Sequence, residues 1–273
     1  MHEMLNTSMV ESIAIFQPTP PRQPWGINFG AGTNSWAMAL ACHERGLRPD
    51  WCLFADTGSE TPETYRSVEQ FREWSAKHGW PFEIVRWIRK DGTFESIHEN
   101  CLRTGYLPSK AYQLAGCTSK WKIQPMQKWR SANGYAESAV AIGYDAGERA
   151  RIEGAANRYC SSAEVDLIKE MPWYPLVAWG IDRKGCHEIN KRWKIEVGKS
   201  SCFCCPNMRE SEWEELKAIH PELYAIAERI EDQAIAKGNA ETARLFKGKY
   251  RNGIVCSCFL EDELPEESWL RAI

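Results

Sequence analysis

Short apolar runs alternate with longer amphipathic stretches over residues 25–90. "WGINFG" at 25–30, "WCLFAD" at 51–56 and "PFEIVRW" at 81–87 are bounded by glycine, proline or charge and read as strands. Between them, roughly 34–46 and 62–79 carry helical patterning. Strands that alternate with helices need crossover connections, so the pattern predicts a parallel sheet covered on both faces. A later run, "SAVAIGYD" at 138–145, fits the same sheet. From about 172 the texture changes to Trp-rich loops and a Cys cluster, followed by a long charged helix from about 209 to 237 and a tail with two more cysteines. The expected organisation is a Pro-rich lead-in over 1–24, a doubly wound α/β core over 25–170 and a Cys-rich, helical region over 171–273 packed on the core.

In parallel sheets of this kind ligands sit beyond the carboxyl ends of the strands. Three polar motifs fall there: "FGAGTNS" after the first strand, "ADTG" after the second and "GYDAGERAR" after the later one. Gly30 and Gly32, with Thr33, Asn34 and Ser35, form a turn from strand into helix that presents backbone N–H groups to an anion. A tight turn needing glycine for backbone reasons is an equal reading of those residues. The turn is not a Walker loop, because no Gly-Lys-Ser/Thr follows, nor a dinucleotide fingerprint, because the third glycine is missing. Asp56 could hold a ribose hydroxyl, a metal or an attacking water, with Thr57 and Gly58 beside it. Asp145 and Glu148 form a second carboxylate pair. Lys120, Lys122, Arg149 and Arg151 are cations placed to neutralise phosphates, or else a solvated charged face. His98, His187 and His220 have no partner at ligand spacing and read as structural.

Composition narrows the function classes. No apolar run approaches the roughly 20 residues of a membrane span, and the N-terminus lacks a secretory pattern, so a cytoplasmic protein without membrane association is expected. A net charge of −3 argues against general nucleic-acid affinity. Two stretches nevertheless interleave cations with tryptophan, "SKWKIQPMQKWR" and "NKRWKIEVGK", as base-stacking surfaces do; core packing accounts for most of the thirteen tryptophans. Eleven cysteines in such a compartment favour metal or redox sites and buried thiols over a disulfide framework. Cys202 and Cys205 form a C-x-x-C pair that can supply half of a metal site. Cys42, Cys52, Cys101 and Cys160 read as packing.

"FADTGSETPETY" at 54–65, "GCTSKWKIQPM" at 116–126, "YPLVAWGIDR" at 174–183 and "GKSSCFCCPNM" at 198–208 occur in an order that resembles the phosphoadenosine phosphosulfate (PAPS) reductase family of the adenine nucleotide alpha hydrolase-like, or PP-loop, superfamily. The resemblance spans roughly residues 25–210. It implies a doubly wound α/β fold holding an adenine nucleotide, with "GAGTNS" as the PP-loop and Lys120, Lys122 and Arg149 toward the phosphates. ATP-cleaving members carry Asp where Asn34 stands, so the resemblance implies a reductase-like chemistry in place of ATP cleavage. It further implies a 4Fe-4S cluster. Cys117 matches a family ligand, Gly116 replaces its neighbouring cysteine, and Cys186 is the candidate replacement, giving Cys117, Cys186, Cys202 and Cys205, with Cys204 in reserve; structural zinc is the alternative occupant. Asp56, Asp145 and the tail thiol Cys258 are the candidate catalytic groups, although "IVCSCFLEDE" departs from the family's Glu-Cys-Gly-Leu/Ile-His tail. The implied partners are a nucleotide substrate and a thiol or electron-donor protein. The same scaffold acting on DNA, by sulfur modification or by base processing in phage defence, is the alternative.

Overall fold

The computed structural model describes residues 14–107, 116–161 and 170–237, with no side-chain account for 158–161. Cys256 and Cys258 lie outside the described residues, so the expectation for a tail nucleophile is not addressed by the fold. The described chain divides into two compact units. The first runs to Phe94 and resumes over Thr118–Ser201; the second joins Glu95–Cys117 to the residues from Cys202 onward. This partition differs from the expected break at 170, because the sheet continues past that point.

The first unit is built on five parallel strands, β1 (Trp25–Asn28), β2 (Trp51–Asp56), β3 (Glu83–Arg86), β4 (Ala139–Ala141) and β5 (Met171–Trp173), in the order β3-β2-β1-β4-β5. The doubly wound α/β expectation therefore holds. β5 was hidden in sequence by its length and by Pro172, a residue tolerated at a sheet edge but not at its centre. Every residue of β2 is buried, and its side chains feed two cores. Cys52 and Phe54 join Ile27, Ala139 and Ala141 beneath α1 (Thr33–Glu44), α2 (Pro62–Lys77) and α7 (Arg183–Arg192). Trp51, Leu53 and Ala55 face the other way, against Met126 of α4 (Gln124–Ala132). A third cluster joins Ile15 and Phe16 to Ile152, Ala155 and Ala156 of α5 (Arg149–Ser161).

α1 shows how composition sets position. Trp36 through Cys42 are all buried, so the helix is apolar around its circumference and sits between the sheet and α7, whose Cys186 and Ile189 share its core. The many tryptophans are mostly spent here. Trp36, Trp74, Trp80 and Trp193 pack edge to face with Phe71, His43 and His78.

In the second unit, α3 (Ile97–Thr104) opens on a capping box, in which Ser96 and Glu99 satisfy each other's backbone N–H groups, and closes on Gly105 at φ 72. The helix expected over 209–237 is two helices, α8 (Glu210–Ile219) and α9 (Pro221–Ala236). Pro221 disfavours helical backbone at the residue before it, and His220 accordingly takes φ −131 and ψ 65. Among the described residues no helix is long and apolar enough to cross a membrane.

Candidate functional site

β1 stands where the strand order reverses: the chain goes from β1 out to β2 and β3, then returns to lay β4 on the other side of β1. The loops after β1 and β4 therefore bound the crevice where ligands bind in open parallel sheets. They also touch. A Cβ on Gly143 would stand 3.4 Å from the backbone carbon and oxygen of Asn34, and the Asn34 amide donates to Asp145 Oδ2 at 3.0 Å and to Glu148 Oε2 at 3.4 Å. Arg183 Nη1 donates to Asn34 Oδ1 at 2.7 Å, so both ends of the Asn34 amide are held.

The "GAGTNS" turn itself has the features of an anion cradle. Its helix has Gly32 at the N-cap in extended backbone, with no side-chain cap and no acidic residue in the first turn. The leading N–H groups of α1 thus lack both an intrahelical acceptor and a capping oxygen. Ala31 adopts φ 59, a conformation that costs a non-glycine residue free energy. Its carbonyl accepts from Ser67 Oγ at 2.7 Å, and Ser67 accepts from Trp36 Nε1 at 2.8 Å, which pins the turn against the core. Gly30 N–H is already given to Ser35 Oγ at 3.0 Å. Residues 197–200 lie along the turn: Thr33 Oγ1 contacts the Val197 and Gly198 carbonyls at 3.4 and 3.3 Å, and a Cβ on Gly32 would meet Ser200 Oγ at 2.9 Å. Asn190 donates to the Thr33 carbonyl at 3.0 Å. Beside this segment an open cavity of about 390 Å³ is lined by Ala31, Ser67, Gln70, Gly198 and Lys199 among others.

The second carboxylate group is a hub. Asp56, buried at the end of β2, accepts from Gly58 N at 2.9 Å and Tyr65 Oη at 2.8 Å on Oδ1, and from Arg86 Nε at 2.7 Å on Oδ2. Gly58 needs its φ of 68 to make this turn. Burial first, and then the Asp56 contact, push the Tyr65 phenol well above its ordinary range. Asp56 is thus engaged by three donor residues, which hold the end of the strand. Thr57 donates to Glu60 at 3.1 Å, and Glu60 pairs with Lys122 at 3.3 Å. Lys120 sits on a π-helical turn over Thr118–Ile123, its ammonium 4.0 Å from the Trp87 ring centre and 4.1 Å from that of Trp121. Arg149 is exposed at the start of α5. Asp145 accepts from Gly147 N and Asn34, while Glu148 takes Asp145 N and pairs with Arg151 at 2.6 Å. Asp145 therefore builds its own loop and holds Asn34.

Cys117, Cys202 and Cys205 belong to the second unit and Cys186 to the first. Cys202 and Cys205 close a tight turn, with Cys205 N donating to the Cys202 carbonyl at 3.1 Å, and the eight described cysteines form no disulfide. Among the described residues no three of His, Cys, Asp and Glu stand together as a metal-holding group. Cys186 is fully buried, and burial, reinforced by the Asp145 charge, pushes its thiol up to about 12. Within the second unit the described Cys117, Cys202 and Cys205 do not stand together as a ligand group for iron-sulfur or zinc.

Arg130 is a further correction. It is 2% exposed, pairs with Glu170 and lies over the Trp51 ring at 5.2 Å, while Trp129 stacks on Tyr135; Arg130 is therefore core, not part of a nucleic-acid surface, whereas Lys128 beside it stays exposed. Sequence reading missed Arg183, Arg86 and Tyr65. A cation ending a strand, as Arg86 does, was the available signal.

No family model matches the chain, and no curated protein matches it. Among solved structures it is similar to the U34-tRNA thiolase NcsA from Methanococcus maripaludis with its 4Fe-4S cluster, at 13% identity and a TM-score of 0.46, over 77% of this chain and 72% of that one.

Proposed function

We propose that the chain is a PAPS-reductase-like, PP-loop enzyme that seats the phosphate or sulfate of an adenine nucleotide on the Gly30–Ser35 turn and carries out sulfur or redox chemistry on it. The observation that carries the reading is the uncapped start of α1, with Ala31 at φ 59, at the point where the strand order reverses. Strain of that kind persists where the surroundings over-determine it, and here Ser67 and Trp36 do so.

In this reading the α1 N–H groups hold the anion. Arg183 and Asn34 fix the floor between the two loops, and Lys120 and Arg149 supply cationic charge near the strand ends. The Asp56 hub, with Tyr65 and Arg86, keeps the β2 and β3 ends in register with each other. No step is routed through a metal cluster, because the described cysteines of the second unit do not assemble one.

Calorimetric titration of the protein with AMP, ATP, adenosine phosphosulfate and PAPS tests the reading. Binding of a sulfonucleotide or adenylate that is lost in Gly32→Val, a change whose added carbon meets only the Ser200 side chain closely, is the expected result. Absence of binding to the wild-type protein, or full binding by Gly32→Val, rejects it.

A further inference from the structure

We infer that residues 86–94 form a basic, partly apolar finger that holds a single-stranded polynucleotide beyond the end of β3, so that the nucleotide seated at the Gly30–Ser35 turn is one residue of a strand. This rests on the nucleotide-binding reading above and specifies its substrate class.

After Arg86 the chain does not enter a helix. Ile88 pairs antiparallel with Phe94, Arg89 N donates to the Thr93 carbonyl at 2.8 Å, and Gly92 N donates to the Arg89 carbonyl at 3.0 Å. The tip is set by Asp91, whose carboxylate accepts from Thr93 N at 3.0 Å and Thr93 Oγ1 at 2.6 Å, and by Gly92 at φ 83. The result is a hairpin at the edge where parallel sheets bind ligands.

Its two faces differ in a way that period-2 alternation dictates. Trp87 turns inward and holds Lys120 against its ring. Arg86, Ile88 and Lys90 fall on the opposite face and are exposed, with Phe94 across from Ile88. Ile88 is 45% exposed and Phe94 37%, and the Arg86 guanidinium lies 5.2 Å from the Phe94 ring. Residues 86–94 carry three cations against Asp91; Asp56 holds Arg86 at 2.7 Å and Asp91 stands 3.4 Å from Arg89, so Lys90 is the cation turned to a polyanion while the apolar pair takes base faces. A protein partner fits less well, since interface cores are depleted in lysine.

Length favours a strand over a free nucleotide. β3 stands two strand spacings, about 10 Å, from β1, and Lys90 is four residues, about 13 Å, beyond Arg86. At about 3.4 Å per stacked nucleotide, the hairpin alone matches roughly four nucleotides.

The test is fluorescence anisotropy with 12-nucleotide oligo-dA and oligo-rA over a salt series, alongside calorimetry with the mononucleotides, on wild type, Lys90→Glu and Ile88→Ala/Phe94→Ala. These positions are exposed, and thermal melts check that the variants fold. Wild type is expected to bind an oligonucleotide with affinity that falls as salt rises; the relative affinities for dA and rA distinguish DNA from RNA. The double variant should bind about tenfold or more weakly, and Lys90→Glu should flatten the salt slope by about one or more. Both should keep mononucleotide binding. Mononucleotide binding without oligonucleotide binding, or oligonucleotide binding indifferent to both variants, overturns the inference and leaves the nucleotide site standing. Failure to bind either overturns both.

Discussion

The side-chain amide of Asn34 donates to Asp145 across 3.0 Å while its oxygen accepts from Arg183 at 2.7 Å, so one residue joins the loops after β1 and β4 to the start of α7. The choice of an amide at this position has a physical reason. Asp145 and Glu148 already present two carboxylates, and only a donor can face them.

Asn34→Asp therefore sets a third carboxylate against the other two, with Arg183 left to offset it. A loss of about 1–3 kcal/mol is expected. Differential scanning fluorimetry should show a lowered Tm that rises again with added Mg²⁺ in the variant and not in the wild type; an unchanged Tm would mean that the Asn34 contacts contribute nothing.

Cys186 should be inert at neutral pH. Its thiol is raised from 9.0 to about 12 in the fold, so the protonated form is the one the fold favours. The stability this contributes is intact below the unfolded value of 9.0 and is lost as pH rises from there through about 12. Iodoacetamide labelling at pH 8, mapped by mass spectrometry, should leave Cys186 unmodified while the more accessible Cys117 reacts. Rapid labelling of Cys186 in folded protein would contradict this.

Tyr65→Phe removes one of three donors from a buried carboxylate without changing shape. It should cost about 1 kcal/mol, a Tm decrease of roughly 2–4 °C for a chain of this size. A loss no greater than that of an exposed substitution such as Arg66→Ala would show that Asp56 is held adequately by Gly58 and Arg86.

Arg130→Ala should act on stability alone. It strips Glu170 of its partner and opens space beside Trp51, for a loss of about 2–4 kcal/mol. Oligonucleotide affinity per folded molecule should not change. A specific loss of affinity in a variant that remains folded would return this residue to the binding surface.

How far the fold was legible depended on the element. β1, β2 and their helices stood out because buried parallel strands are continuous apolar runs bounded by turn residues. β5 did not, because three residues containing a proline carry no periodicity. The turn at Gly30–Ser35 was legible as chemistry, since glycine next to hydroxyl and amide side chains has few uses at a strand-to-helix junction. The roles of Asp56 and Asp145 were not. Whether a carboxylate is a base or a brace depends on which donors surround it, and Tyr65, Arg86 and Asn34 reach them only through the fold. The tryptophans misled for a related reason: Trp129 and Arg130 look like a nucleic-acid footprint until Glu170 and Tyr135 are seen to enclose them. The Asp91-Gly92 tip, by contrast, is a hairpin signal that could have been read directly.

The way the second unit is threaded bears on how the protein is made. α3 packs on α9, yet more than a hundred residues separate them, and the strands that intervene, β4 and β5, belong to the other unit. On a ribosome adding about 5–20 residues per second, α3 leaves the exit tunnel several seconds before the helix that covers it exists. Ile97 and Cys101, buried in the finished protein, spend that interval uncovered. Nascent chains arrested before Pro221 should be cut by protease within α3, and arrest after Ala236 should close that site, which makes α9 the step that covers a helix begun more than a hundred residues earlier.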